Sequence, residues 1–138
     1  MKVSKFFAYS LLVCVTLYGL DSGLKYALEL YKNNKLYNNQ KAISSLVTQA
    51  KSGDTSAAFL LASAYKNGKL GKVNLDKSFY WYKQAAILGD PDAMLMLGWL
   101  YYKGTSKLKI DTRKAKYWFK KAALQGVDEA IEMLELLG

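Results

Sequence analysis

The chain has no histidine, one cysteine and one proline in 138 residues. Each shortage removes a class of chemistry. Without histidine there is no Ser-His-Asp triad, no imidazole general base and no imidazole metal ligand. Cys14 lies inside the first apolar stretch, so residues 15–138 form no disulfide and offer no thiol nucleophile. That leaves the redox compartment open. With Pro91 alone as a proline, and with many Ala, Leu and Lys, little interrupts helices. Long hydrophobic runs are also scarce. The longest, Phe6 to Leu20, is about 15 residues, short of the roughly 18 to 20 of a full membrane span.

That run is preceded by Lys2 and Lys5 and ended by Asp21. A basic start and a short apolar stretch form the pattern of a secretory signal. Gly19, Ser22 and Gly23 are small, but Leu17 and Leu20 stand where a second small residue is wanted. Residues 1–22 are therefore read as a cleaved signal or an uncleaved anchor, the poor cleavage site favouring the anchor. If uncleaved, residues 6–20 are the membrane contact. Val13 is too large to precede a lipoprotein cysteine, and Cys14 reads as a small hydrophobe. In either case the lysines hold the N-terminus in the cytoplasm. The rest of the chain is expected outside, periplasmic or at the inner membrane, for a bacterial source.

Lys and Arg number 20 against 11 Asp and Glu, a net charge of +9, of which +4 lies in residues 1–50 and +5 in residues 51–138. Such an excess attracts nucleic acid, anionic membranes or acidic partners. Here the lysines sit among Ala, Tyr and Trp at helical spacing, with no Arg-rich run and no zinc-finger or RNA-binding signature. A solvated helical face accounts for them, and nucleic acid is not the expected partner.

What the chain does contain is a repeat. Gly53-Asp-Thr-Ser-Ala57 returns as Gly89-Asp-Pro-Asp-Ala93 and, in fragments, as Gly126-Val-Asp-Glu-Ala130. The glycines are 36 and then 37 residues apart. Between them run Leu61-Ala62-x-x-Tyr65-x-x-Gly68 and Leu97-Gly98-x-x-Tyr101-x-x-Gly104, then Trp81-Tyr-Lys-Gln-Ala85-Ala86 and Trp118-Phe-Lys-Lys-Ala122-Ala123. Self-similarity at this period means stacked helix pairs, each unable to bury its apolar face alone. Full repeats are placed at about 53–88 and 89–125 and a half repeat at 126–138, within a domain of residues 23–138.

Within a repeat the first helix is expected from about Asp54 to Asn67, capped by Asp54, Thr55 or Ser56 and ended by Gly68. The second is capped by Asn74 or Asp76 and closed by Gly89. Asp90-Pro91, Gly104, Asp111 and Gly126 punctuate the next repeat likewise. Residues 24–52 read as a degenerate repeat that lost its Trp, with Ala42 on Ser78 and Ala115, and Leu46 on Tyr82 and Phe119. Ala62, Gly98, Ala85–Ala86 and Ala122–Ala123 allow close helix approach, and Trp81, Trp118, Tyr65 and Tyr101 are expected to fill the space between layers. In the last helix Ala130, Leu134 and Leu137 are expected inward, with Glu129, Glu132 and Glu135 in water.

The pattern Ala-x3-Leu-[Gly/Ala]-x2-Tyr-x2-Gly, then [Asp/Asn]-x3-[Ala/Ser]-x2-Trp-[Tyr/Phe]-x2-Ala-Ala-x2-Gly, resembles the Sel-one-like repeat family, a relative of the tetratricopeptide repeats. It is met at Ala93, Leu97, Gly98, Tyr101, Gly104, Asp111, Ala115, Trp118, Ala122, Ala123 and Gly126, and again at Ala57, Leu61, Tyr65, Gly68, Trp81, Ala85, Ala86 and Gly89. The resemblance implies an all-α solenoid of antiparallel helix pairs acting as a non-enzymatic adaptor for another protein. It also admits a toxin-neutralising immunity protein, since some bacterial members resemble inhibitors of secreted lipase-type toxins. A cysteine-rich branch linked to β-lactamase activity suggests a cell-wall or β-lactam hydrolase. That reading is disfavoured, because the branch pairs a cysteine in each repeat and this domain has none.

No catalytic residue, cofactor or metal site is expected. Gly68-Lys-Leu-Gly71-Lys72 lacks the spacing, the Ser/Thr and the preceding strand of a phosphate loop. A binding face has more support. With Ala93, Leu97, Leu100 and Tyr101 needed inside, Met96, Trp99 and Tyr102 fall at i, i+3 and i+6 on another face of the same helix, with Lys66 and Lys103 at the rim. An exposed Met, Trp and Tyr with basic edges has the composition of a protein-binding hot spot. The competing reading packs Trp99 on the N-terminal repeat or the C-terminal cap. In that case the basic loops Lys69–Lys72 and Lys107–Lys109 are the next candidates.

Overall fold

The computed structural model describes residues 21–138. Residues 1–20 of the expected signal or anchor segment, with Cys14, lie outside the described residues, while Asp21 and Ser22 cap and begin the first helix. Seven α-helices follow one another: α1 (Ser22–Lys32), α2 (Gln40–Lys51), α3 (Thr55–Lys66), α4 (Leu75–Ile87), α5 (Pro91–Lys103), α6 (Thr112–Ala123) and α7 (Asp128–Leu137). A 3-10 turn at Leu36–Asn38 links α1 to α2. Among the described residues there is no strand, and no helix is long and apolar enough to cross a membrane.

The helices start where short polar side chains can accept from free backbone N–H groups. Asp21, Asn39, Asp54, Asn74, Asp90 and Asp111 each do so at the head of α1 to α6. Each such cap contributes about 0.5–2 kcal/mol. Helix α7 begins after Val127 with no side-chain cap, and acidic Asp128 and Glu129 occupy its first turn instead. The second helices end at a left-handed glycine, Gly89 at φ +102°, with Gly53 and Gly126 at the equivalent turns. A side chain there would be strained, so the glycine recurs with the repeat.

Each helix packs chiefly on its neighbours in the chain, and α1 also reaches α3. This is the one-dimensional architecture of a solenoid, with pairs α1–α2, α3–α4, α5–α6 and the single helix α7. The repeat alignment holds in the core: Ala42, Ser78 and Ala115 are buried at one position, and Leu46, Tyr82 and Phe119 at another. The Ser78 hydroxyl finds no hydrogen-bond partner among the described residues, where its two counterparts are alanine.

Two core expectations change in detail. Trp118 and Tyr65 are only half-buried, while Phe119, next to Trp118, is fully enclosed. In α7, Met133 joins Ala130 in the core, and Leu134 and Leu137 are half-buried. Among the described residues α7 packs on α6 and, through Glu129, on α5, so its apolar stripe is covered along a single narrow line.

Candidate protein-interaction face

Helix α5 is enclosed by its neighbours, with Ala93, Met94, Leu95, Met96, Leu97, Gly98, Leu100 and Tyr101 all buried. That corrects one expectation. Met96 is 3% exposed and cannot meet a partner from outside. It lies one turn before Trp99, and the row it begins leaves the protein interior only at Trp99 and Tyr102, both half-buried.

Trp99 sits at the centre of a cluster. Its indole Nε1 donates to Glu129 Oε1 at 2.9 Å, which ties α5 to α7. Its ring meets Phe119 edge-on at 5.8 Å and Tyr102 edge-on at 5.8 Å. The Lys103 ammonium stands 4.8 Å over its centroid, a cation–π contact that keeps the charge at the rim. Lys66, from the preceding repeat, belongs to the same neighbourhood. Partial burial lowers its pKa, the nearby Lys103 charge adds to that, and Glu129 opposes it. The structure thus brings Trp99, Tyr102 and Lys103 together, with Lys66 close enough to feel the Lys103 charge and Met96 buried in the same helix. Trp99 is partly covered by the C-terminal helix, as the competing reading held.

Glu129 was expected in water and instead anchors the indole. The two residues are 30 apart in the chain, and no local pattern links them. A half-buried aromatic pair with two lysines and one carboxylate at its edge can recognise a protein surface. No His, Cys, Asp or Glu group that could hold a metal occurs among the described residues.

Among solved structures, the chain is similar to a Sel1 repeat protein from Oxalobacter formigenes, with 29% identity and a TM-score of 0.72 over 83% of this chain and 45% of that one. The chain therefore spans less than half the length of that protein. It is also similar to the Helicobacter pylori cysteine rich protein B, with 26% identity and a TM-score of 0.64 over 84% of this chain and 99% of that one. No curated protein matches. The model of the Sel1 repeat matches residues 55–90 and 91–127, which span α3–α4 and α5–α6, and the chain belongs to the Sel1 repeat family.

Proposed function

We propose that this protein is a non-enzymatic adaptor that binds another protein through the first-helix side of its solenoid, with Trp99 and Tyr102 as anchors and Lys66 and Lys103 at the rim. Sel1 repeat proteins act as protein-interaction scaffolds. The observation that carries the reading is the half-open aromatic pair Trp99 and Tyr102 with the Lys103 ammonium over the indole; the Lys66 charge, from the preceding repeat, acts on the same lysine. Trp and Tyr anchors of this kind dominate interface energetics, and rim lysines act chiefly on the association rate. We further propose that the repeat domain works outside the cytoplasm, either released or held at the membrane. Support for that comes from Lys2, Lys5 and the run Phe6–Leu20 in the sequence.

A photo-crosslinking amino acid placed at position 102 in cells should capture a discrete partner. The same probe at Tyr80, exposed on a second helix, should not. Trp99→Ala should weaken the captured complex by roughly 2 kcal/mol or more, as loss of a central aromatic anchor does. Equal capture at both positions, or capture indifferent to Trp99→Ala, would remove this face from consideration.

A further inference from the structure

The loops that join first to second helices (33–39, 67–74 and 104–111) lie along one edge of the stack, because the helices of each pair run antiparallel. The turns between pairs lie along the other edge. Charge divides between the two. Segments 31–41, 66–77 and 103–114 hold twelve Lys and Arg against two carboxylates, Asp76 and Asp111. Around the opposite turns, segments 48–58, 84–94 and 121–132 hold two lysines against six carboxylates. Helix capping explains part of this, since Asp54 and Asp90 begin helices and Lys66 and Lys103 end them. It does not explain Lys69, Lys72, Lys107 and Lys109, which lie beyond any helix end. Nor does it explain Val73 and Ile110, which occupy equivalent positions and are 58% and 67% exposed.

The loop edge is stitched together. Asn67 Nδ2 donates to Tyr31 Oη at 2.7 Å, and the Lys69 ammonium donates to Asn34 Oδ1. The Tyr37 ring lies on Gly71, where a Cβ would come within 2.7 Å of it. Thr105 and Ser106 donate to the Asp76 carboxylate across the next junction. Asp111 is taken by Lys114, through its backbone N–H and its ammonium. Both carboxylates of the edge are thereby occupied, with the Lys107 charge also acting on Asp76, and no ion pair engages Lys69, Lys72 or Lys109 among the described residues. Between Asn34, Tyr37 and the 68–72 loop lies an open groove of about 550 Å³.

We propose that this edge is a second binding surface, for an acidic segment of another protein, whose carboxylates run along Lys69, Lys72, Lys107 and Lys109 while an apolar side chain enters the groove beside Tyr37 and Gly71. Charge complementarity selects the acidic partner. The groove selects a peptide over an anionic bilayer, which has no protruding side chain to fill it. The cross-loop contacts fix the loops that carry these lysines before binding, which limits the ordering cost of the backbone. These residues are separate from the Trp99 face, so either surface can fail alone.

The test uses the full chain and the fluorescence anisotropy of a labelled peptide of alternating Glu and Ala with one central Leu. A Gln-for-Glu counterpart and phosphatidylglycerol vesicles complete the set. The Glu peptide should bind and the Gln peptide should not. Replacing Lys69, Lys72, Lys107 and Lys109 by Glu should weaken binding about tenfold or more, while the same change at Lys51, Lys83, Lys120 and Lys121 should cost about twofold at most. Tyr37→Ala should weaken binding without changing its salt dependence, and Trp99→Ala should leave it intact. Circular dichroism checks that every variant is folded. Equal loss in the two quadruple variants would reduce the effect to net charge and overturn the proposal. So would no binding of the Glu peptide, or vesicle binding that Tyr37→Ala does not alter.

Discussion

In the first full repeat the space within the helix pair is closed by Phe59, Ser63 and Tyr82; in the second the same positions hold Leu95, Trp99 and Phe119. Phe59 meets the Tyr82 ring edge-on at 5.2 Å, and Ser63 Oγ and Tyr82 Oη share a buried hydrogen bond of 2.8 Å. In the second repeat no such lock exists. Leu95 is smaller than Phe59, and aromatic bulk shifts to Trp99, which meets Phe119 edge-on and still reaches the surface. The neighbouring small residue adjusts as well. Ala62 keeps a methyl in the first repeat, but a Cβ at Gly98 would stand 2.7 Å from the Phe119 ring. A repeat position is therefore specified jointly with its neighbours, by the volume they share. The candidate binding face exists because the second repeat filled that volume with a tryptophan rather than with a buried polar pair.

The sharpest way to break this comparison is to empty the second repeat. Phe119→Ala should destabilise the domain by roughly 3–5 kcal/mol, since its ring is fully buried. Gly98→Ala should cost about 1–3 kcal/mol by overpacking against that same ring. Combining Gly98→Ala with Phe119→Leu should recover part of the loss, because the two sites touch. Chemical denaturation measures all three, and additive losses would mean that the two positions do not share their space.

A second prediction separates the lock of the first repeat from simple packing. Tyr82→Phe strands the Ser63 hydroxyl, and Ser63→Ala strands the Tyr82 hydroxyl, so each should cost about 1–3 kcal/mol. The double variant removes both partners and should be less destabilised than the sum of the two. Strict additivity in the same denaturation series would show that the pair is not coupled.

The smallest effect concerns the cap between the repeats. Burial pushes the Asp90 carboxyl up to about 6, against the hydrogen bond it accepts from the Ala93 N–H. The folded chain thus takes up this proton at a higher pH than the unfolded chain. The stability it contributes is full below the unfolded value of about 3.9 and is lost as pH rises through about 6. Asn caps a helix as well as Asp does and does not titrate. Asp90→Asn should therefore gain on the natural chain, by about 1 kcal/mol, as pH rises from 5 to 7. Thermal melts at the two pH values read the difference, and a gain in the opposite direction would contradict the burial of this carboxylate.

Most of the fold was legible in the chain itself. The glycines at φ > 0, the Asp and Asn caps and the small residues at fixed spacing are local or periodic requirements, and the helices fall where those signals stand. The degenerate first repeat was legible for the same reason, since Ala42 and Leu46 keep the core positions although the Trp is gone. The candidate site was legible in composition but not in depth. Helical spacing put Met96, Trp99 and Tyr102 in one row, yet how far along that row the protein interior extends depends on α4, α6 and α7 and not on α5.

The sequence alone therefore determined the helix pairs, their order and their stacking, because caps, turns and a repeating apolar pattern act over a few residues or one period. Tertiary structure alone decided that Met96 is buried while Trp99 is half-open, that Glu129 holds the indole, and that Asp76 is taken by Thr105 and Ser106. Those outcomes join side chains about 30 residues apart. They follow from the volume and the polar partners that one helix pair leaves to the next, which no period within a single helix encodes.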